Sequence, residues 1–413
     1  MRAMELAVGY TGHGFPHLSK LALGTDPGSV TTRIPSATGK YGIAALDITL
    51  TAQNEIRLIE ANGSNVGLTS VVVGNDYARA LHMWMSFRQK PCVTPSTVIL
   101  PFKPGLMHLP EFFARASTFA SLVSEERSAA LRCSEEDLGS EEVAVVCGPI
   151  PAIADRMQCF NDCLTYRSRR VSFACNPSIL VELQRRRLFE SEAQVKRVSK
   201  NVFHDGEFIS LVHDKGLQQD KAAGTGITPL YYEEAWNVDD GCRVIARFHE
   251  RGLVAIGKIN AGSGGTGVSV FPVGQTPTEV RTELSGMITS AIQRYGDSAE
   301  STIFPLRFFE FARSTDFMLP DGPHLWDLRM LCLVWPGYID VTPCLLRICP
   351  VLFDGRTYAR GTVVSNLSDR PPSLEFVRSA LDMSARNAVG IDAMMLRKMI
   401  EACAAWCENA CTS

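Results

Sequence analysis

Asp47, Glu60 and Asn62 are residue types that act as hard oxygen ligands. Two strand-like runs, residues 43–49 and 56–59, flank a short turn at residues 52–54. A hairpin of these runs brings both carboxylates and the amide oxygen to one edge. Mg²⁺ accepts such ligands, usually one or two from protein and the rest from phosphates and water. Taken alone, the segment also reads as a surface hairpin ending in a polar turn.

A second signal lies far downstream, where Lys258 precedes Gly262-Ser263-Gly264-Gly265-Thr266-Gly267. Gly262, Gly264 and Gly267 fit G-x-G-x-x-G, but in a dinucleotide fold that motif runs from a strand directly into a helix. Here residues 268–271 continue as a strand, so the glycine run joins two antiparallel strands as a flap. Glycine lets backbone N–H groups approach phosphates closely, and Lys258 supplies a point charge for phosphate oxygens. In protein kinases the lysine follows the flap. Here it precedes the flap, and H-R-D, D-F-G and G-K-[ST] patterns are absent from the sequence.

The elements that must position these groups read as mixed α/β and α+β. Residues 1–40 are rich in Gly, Thr, Ser and Pro and read as loop with short elements. Strand runs at 98–101, 143–146 and 171–174 alternate with helical stretches at 110–132 and 178–200, which argues for a layer with a parallel sheet. Strands are expected at 242–248, 253–259 and 268–272, then a helix at 276–295. The last part offers strands at 306–312, 325–334 and 339–348 and helices at 373–388 and 392–407. Cys403, Cys407 and Cys411 fall at helical spacing and read as a packed stripe.

The chain has 413 residues, 46% of them apolar and 21% charged, which suits a soluble protein of two or three domains. A formal net charge of −3 offers no bulk attraction to nucleic acid or membrane. The basic clusters at 167–170 and 185–187 read as solvated faces. Thirteen cysteines without a C-x-x-C framework read as reduced thiols, and the expected compartment is the cytoplasm.

These motifs together resemble the ATP-grasp superfamily. Lys258 with residues 262–267 resembles its central-domain lysine and phosphate flap. Asp214-Lys215 followed by Gly226-Ile227-Thr228-Pro229 resembles the opening of that domain, whose lysine also contacts phosphate. The segment 308–312, with Glu310, Phe311 and Ala312, resembles the hinge strand that takes adenine. Asp327-Leu328-Arg329, Arg347 and Ser365-Asn366 resemble a stretch of glutathione-synthetase-like ligases in which arginines face an acyl phosphate. Asp47 with Glu60-Ala61-Asn62-Gly63-Ser64 resembles the metal segment of D-alanine–D-alanine ligases, although Ala45 stands where those enzymes carry arginine.

The order of motifs differs from most of the family, because the metal segment comes first instead of last. That order resembles a circular permutation. The resemblance divides the chain into 1–70, completing the C-terminal grasp domain; 71–211, an α/β domain; 212–304, the central grasp domain; and 305–413, the C-terminal grasp domain. It implies ATP with Mg²⁺ (or Mn²⁺) on Asp47, Glu60 and Asn62, and phosphate contacts from Lys215, Lys258 and the flap. Arg329 and Arg347 would act on the acyl group, with Ser64, Arg347 and Asn366 toward substrate. The implied reaction is ATP-dependent joining of a small carboxylate, such as an amino acid or small peptide, to an amine. A kinase or synthase, or a silent nucleotide-binding regulator, stays open as an alternative, and a homodimer is compatible with the reading.

Overall fold

A mostly apolar run and a more alternating one, joined by a polar turn, set the first hairpin. The computed structural model describes residues 31–63, 76–89, 92–102, 109–133, 138–175, 178–202, 214–260, 267–295, 303–353, 355 and 376–411. Strand β1 spans Thr32–Pro35, a short element inside the otherwise loop-like stretch, followed by β2 (Gly42–Leu50) and β3 (Ile56–Asn62). Their turn places Asn54 at φ +60°, a left-handed conformation that asparagine tolerates. Every residue of β2 is buried, which removes the reading of a surface hairpin.

An α/β layer follows: α1 (Asp76–Arg88), β4 (Ser96–Phe102), α2 (Leu109–Glu126), β5 (Ala129–Cys133), β6 (Val143–Pro149), α3 (Ile150–Ala154), β7 (Met157–Phe160), β8 (Cys163–Tyr166), β9 (Arg169–Ala174), α4 (Ser178–Arg185) and α5 (Glu192–Val202). Its sheet order is β5-β6-β4-β9-β8-β7, with the first four strands parallel. Val98 and Leu100 face one core with Phe87, Phe119 and Phe173, and Ile99 faces the other with Leu183 and Val198. The helix expected over 110–132 stops early, because the short apolar run from Ala129 pairs with β6; such a run suits strand or helix equally. The stretch 178–200 is two helices, broken at Arg187 with φ +58°. The basic clusters are more than solvated faces, since Arg169 Nη2 donates to the carbonyls of Ser96 (3.0 Å) and Glu141 (2.7 Å).

The central unit runs α6 (Lys215–Asp220), β10 (Ile227–Thr228), β11 (Tyr232–Ala235), α7 (Val238–Glu250), β12 (Ala255–Lys258), β13 (Val268–Phe271), α8 (Pro277–Tyr295) and β14 (Leu306–Glu310). Residues 242–248 are helix α7 instead of the expected strand. Asn237 caps it by accepting from Asp240 N at 2.8 Å, and Gly241, Val244, Ile245 and Phe248 are buried at helical spacing. Reciprocal bonds between Thr276 and Glu279 form a capping box on α8. The antiparallel sheet β11-β14-β12-β13 packs Phe271 and Phe308 against both helices. Its opposite face presents Lys258 beside Arg307, which pair in register.

The chain closes with β15 (Phe317–Leu319), β16 (Gly322–His324), β17 (Trp326–Trp335), β18 (Tyr338–Ile348), β19 (Val377–Ser379), α9 (Met383–Ala388) and α10 (Ala393–Cys411). β17 and β18 turn at Pro336-Gly337, with Gly337 at φ +90°, a value glycine adopts without strain. One sheet has the order β1-β18-β17-β2-β3-β10, and β19 joins β18. The first hairpin therefore lies directly beside the last long one. Leu46, Leu58, Met330 and Cys332 form a core with α10, where Cys332 meets the thiols of Cys403 and Cys407. No described helix is long and apolar enough to cross a membrane.

Candidate active site

Strand register explains why distant residues meet. Asp47 lies opposite Arg329 on β17 and opposite Glu60 on β3, while Ala45 lies opposite Asn62. Asp327 lies opposite Arg347 on β18. Residues two apart on a strand share a face, so one face carries Asn62, Glu60, Asp47, Arg329, Asp327 and Arg347 as a charged row. Further along the same face, Leu331, Leu333 and Trp335 form an apolar cluster with Ile43 and Leu345.

Within the row the charges are mutually engaged. Arg329 donates to both Asp47 carboxylate oxygens, at 2.8 and 2.9 Å. Arg347 Nη2 reaches Asp47 Oδ2 at 2.9 Å, and its Nε donates to Asp327 at 2.6 Å. Burial alone would push the Asp47 carboxyl up, but the two guanidinium charges outweigh it and hold it below the usual range. For Asp327 burial wins and the carboxyl is raised despite Arg347. Burial would lower Arg347, yet the two aspartates hold it above its ordinary value. Asp47, expected to face a cation, thus faces two arginines as well as Asn62 Nδ2, 3.2 Å away. Its strand position matches the expectation, but its partners differ.

Two lysines approach the row from the central unit. Lys258 Nζ donates to the Ile59 carbonyl at 3.2 Å and lies 5.4 Å from the Phe309 ring centroid. Lys215 Nζ lies 3.7 Å from Glu60 Oε1. Burial depresses the Lys258 ammonium to about 8, with Lys215 lowering it further and Glu60 and Asp47 opposing. Lysine, glutamate and carbonyl thus converge at the junction of two sheets.

Helix α6 is held there by Asp214 and by groups that the sequence motifs did not flag. Asp214 caps the helix through Leu217 N at 2.8 Å. Buried Arg307 binds Asp214 at 3.0 Å and Glu234 at 2.9 Å, and also donates to Asn260. Gln219 donates to Leu58 O at 3.0 Å and accepts from Leu230 N at 2.9 Å. Gln218 accepts from Ala61 N and donates to Ala61 O, both at 2.9 Å. A readable signal existed for Arg307, a charge set among the apolar side chains of Leu306, Phe308 and Phe309; the glutamines form no recognised motif.

The remaining expected residues divide cleanly. Gly267 has φ +69°, and a Cβ there would lie 2.7 Å from Ile259. β12 and β13 pair antiparallel on either side of the glycine run. Gly262, Ser263, Gly264, Gly265, Thr266, Ser64 and Asn366 lie outside the described residues. At the expected hinge, Glu310 N donates to Tyr231 O and Phe311 N to Val254 O. Glu310 also accepts from Arg57 Nη1 at 2.6 Å. An adenine at 310–312 would therefore meet groups of that segment, Ala312 included, other than these two amides.

Among the described residues no group of three His, Cys, Asp or Glu is placed to hold a metal ion. Glu60 and Asn62, with the amide nitrogen of Asn62 turned to Asp47, leave hard oxygen donors at the strand end. That set suits Mg²⁺, which keeps water and phosphate oxygens as most of its ligands.

No protein-family model matches the chain, and no curated protein matches it. Among solved structures, the chain overlays a Methylobacillus flagellatus KT protein assigned provisionally as a gamma-glutamylcysteine synthetase. The TM-score is 0.45 at 10% identity, covering 90% of this chain and 89% of that one. Biotin carboxylase from Campylobacter jejuni, in a beta-gamma-ATP complex, overlays with TM-score 0.32 at 12% identity over 70% and 74% of the two chains. Neither overlay is close enough to carry a role from those proteins onto a residue of this one.

Proposed function

We propose that the protein is an ATP-dependent carboxylate–amine ligase of the ATP-grasp type, with ADP and phosphate as by-products. The observation that carries this reading is the convergence of Lys215, Lys258 and Glu60 at the junction of two sheets, on the face whose charged row continues through Asp47 to Arg329 and Arg347. On this reading residues 1–70 complete the sheet of 305–413 as a permuted segment, 212–304 form the central grasp domain, and 71–211 form a separate α/β domain.

The chemistry divides among the chain's own residues. Lys215 and Lys258 hold phosphate oxygens, and residues 262–267 exclude water from a labile acyl phosphate. The substrate carboxylate attacks the γ-phosphate, forming acyl phosphate and releasing ADP. Arg329 and Arg347, fixed by Asp47 and Asp327, are preorganised donors for charge developing on the acyl oxygens. The amine then displaces phosphate and leaves an amide. Mg²⁺, held by Glu60 and Asn62 when bound, neutralises phosphate charge.

A screen of amino-acid and small-peptide pairs for ADP release tests the reaction class, with products identified by mass. An amide product that requires both acid and amine supports the ligase. A phosphorylated product formed without an amine replaces it with a kinase.

A further inference from the structure

We propose that Gln218 is a positioning residue that fixes the Glu60–Asn62 end of β3 against Lys215; the catalytic meaning of this rests on the ligase reading. Among the described residues β10 pairs with β3 only at Ile56 and Arg57, and no other described strand pairs with the outer edge beyond them. In an antiparallel ladder a residue's N–H and C=O point to the same side. Those of Ala61 point outward, and Gln218 meets both at 2.9 Å. One carboxamide thereby replaces a missing strand, at the residue between the two candidate oxygen donors.

The same helix carries the counter-charge. Lys215, Gln218 and Gln219 stand at i, i+3 and i+4, on one helical face, and Lys215 Nζ lies 3.7 Å from Glu60. Gln218 is 1% exposed, and its own carbonyl accepts from Trp406 Nε1 at 3.0 Å. The spacing between lysine and carboxylate is thus set by a three-residue lever anchored to α10. Gln219 is equally buried and equally bonded, but it grips Leu58 and Leu230, away from Glu60 and Asn62.

That difference supplies the test. Gln218→Leu and Gln219→Leu are compared for Mn²⁺·ATP affinity and for hydrogen exchange of the Ala61 amide, well below their unfolding temperatures. Gln218→Asn, one methylene too short to reach Ala61, substitutes if the leucine variant fails to fold. Both leucine variants lose stability; only Gln218→Leu is expected to speed Ala61 exchange and to weaken Mn²⁺·ATP binding, by about 10- to 100-fold as for partners that orient metal ligands. Equal weakening in both variants, or unchanged affinity in Gln218→Leu, overturns the assignment. If the unsubstituted protein binds no Mn²⁺·ATP, the ligase reading falls. Ala61 exchange then decides alone: faster exchange only in Gln218→Leu supports the lever, and unchanged exchange removes it.

Discussion

The two halves of the charged site are built on opposite electrostatic plans. In the β2–β17–β18 row, two arginines face two aspartates in tight, mostly buried pairs. At the α6–β12 junction Lys215 lies 3.7 Å from Glu60, and Lys258 beside it is depressed to about 8 by burial and by the Lys215 charge. The first half balances its own charges and, on the proposed reading, is a rigid frame that presents the two arginines to the acyl group. On the proposed ligase reading the junction half gains from an incoming anion, because phosphate oxygens would relieve the repulsion that Lys215 exerts on Lys258. Asp47 belongs to the frame in this comparison, which separates it from Glu60 despite their adjacent register.

The sharpest way to break this contrast is Asp47→Asn. Removing one partner of a buried ion network leaves charge uncompensated and costs about 3–5 kcal/mol, so the urea midpoint should fall steeply. A nearly unchanged midpoint would move Asp47 out of the frame and make it a ligand alone. Lys258→Met should do the reverse: it removes a desolvated charge, so stability holds or rises. Affinity for ATP should drop by about 10- to 100-fold, the equivalent of one charge-assisted contact. Stability and affinity falling together would erase the distinction between the halves.

A smaller effect sharpens the same contrast through pH. Lys258 titrates at about 8 in the folded chain, against about 10.4 for a free lysine. Between those values the unfolded chain binds more protons, so this group's contribution makes stability rise with pH across the window. Affinity for ATP should instead weaken as pH rises through about 8, because the ammonium is lost. Both slopes should vanish in Lys258→Met when urea unfolding and ATP titration are repeated across the range.

How much of this was legible follows from what each signal encodes. Short apolar, strand-like runs located β2, β3, β17 and β18, and the Lys258 strand with its returning partner. The hairpin then put Asp47, Glu60 and Asn62 at one edge, while Arg329 and Arg347 entered only through the family resemblance. Residues 242–248 misled because β-branched and aromatic side chains imitate a strand until the Asn237 cap and the 241, 244, 245, 248 spacing are weighed. Ala129–Cys133 misled because only the presence of β6 selects strand over helix. The capture of Asp47 by arginines was hidden for a deeper reason. Sequence names the groups on a face, whereas pairing depends on which strands are neighbours and on the dielectric between them. Gln218 was hidden likewise, since its partner is backbone and backbone carries no residue-specific mark.

The smallest effect tests where the frame ends. Arg57 joins β3 to β14 through Glu310 at 2.6 Å, and it also reaches Glu55 at 2.9 Å and Pro229 O at 3.0 Å. The pair is partly open to solvent, with side chains 16% and 20% exposed, so water screens it more than the Asp47 network. A double-mutant cycle of Arg57→Met and Glu310→Gln, read by urea unfolding, should give a coupling of about 0.2–1 kcal/mol. Because Arg57 retains two other acceptors, loss of Glu310 alone should cost little. A coupling several-fold larger would extend the compensated frame across the sheet junction, and the two halves would then respond to a bound anion as one body.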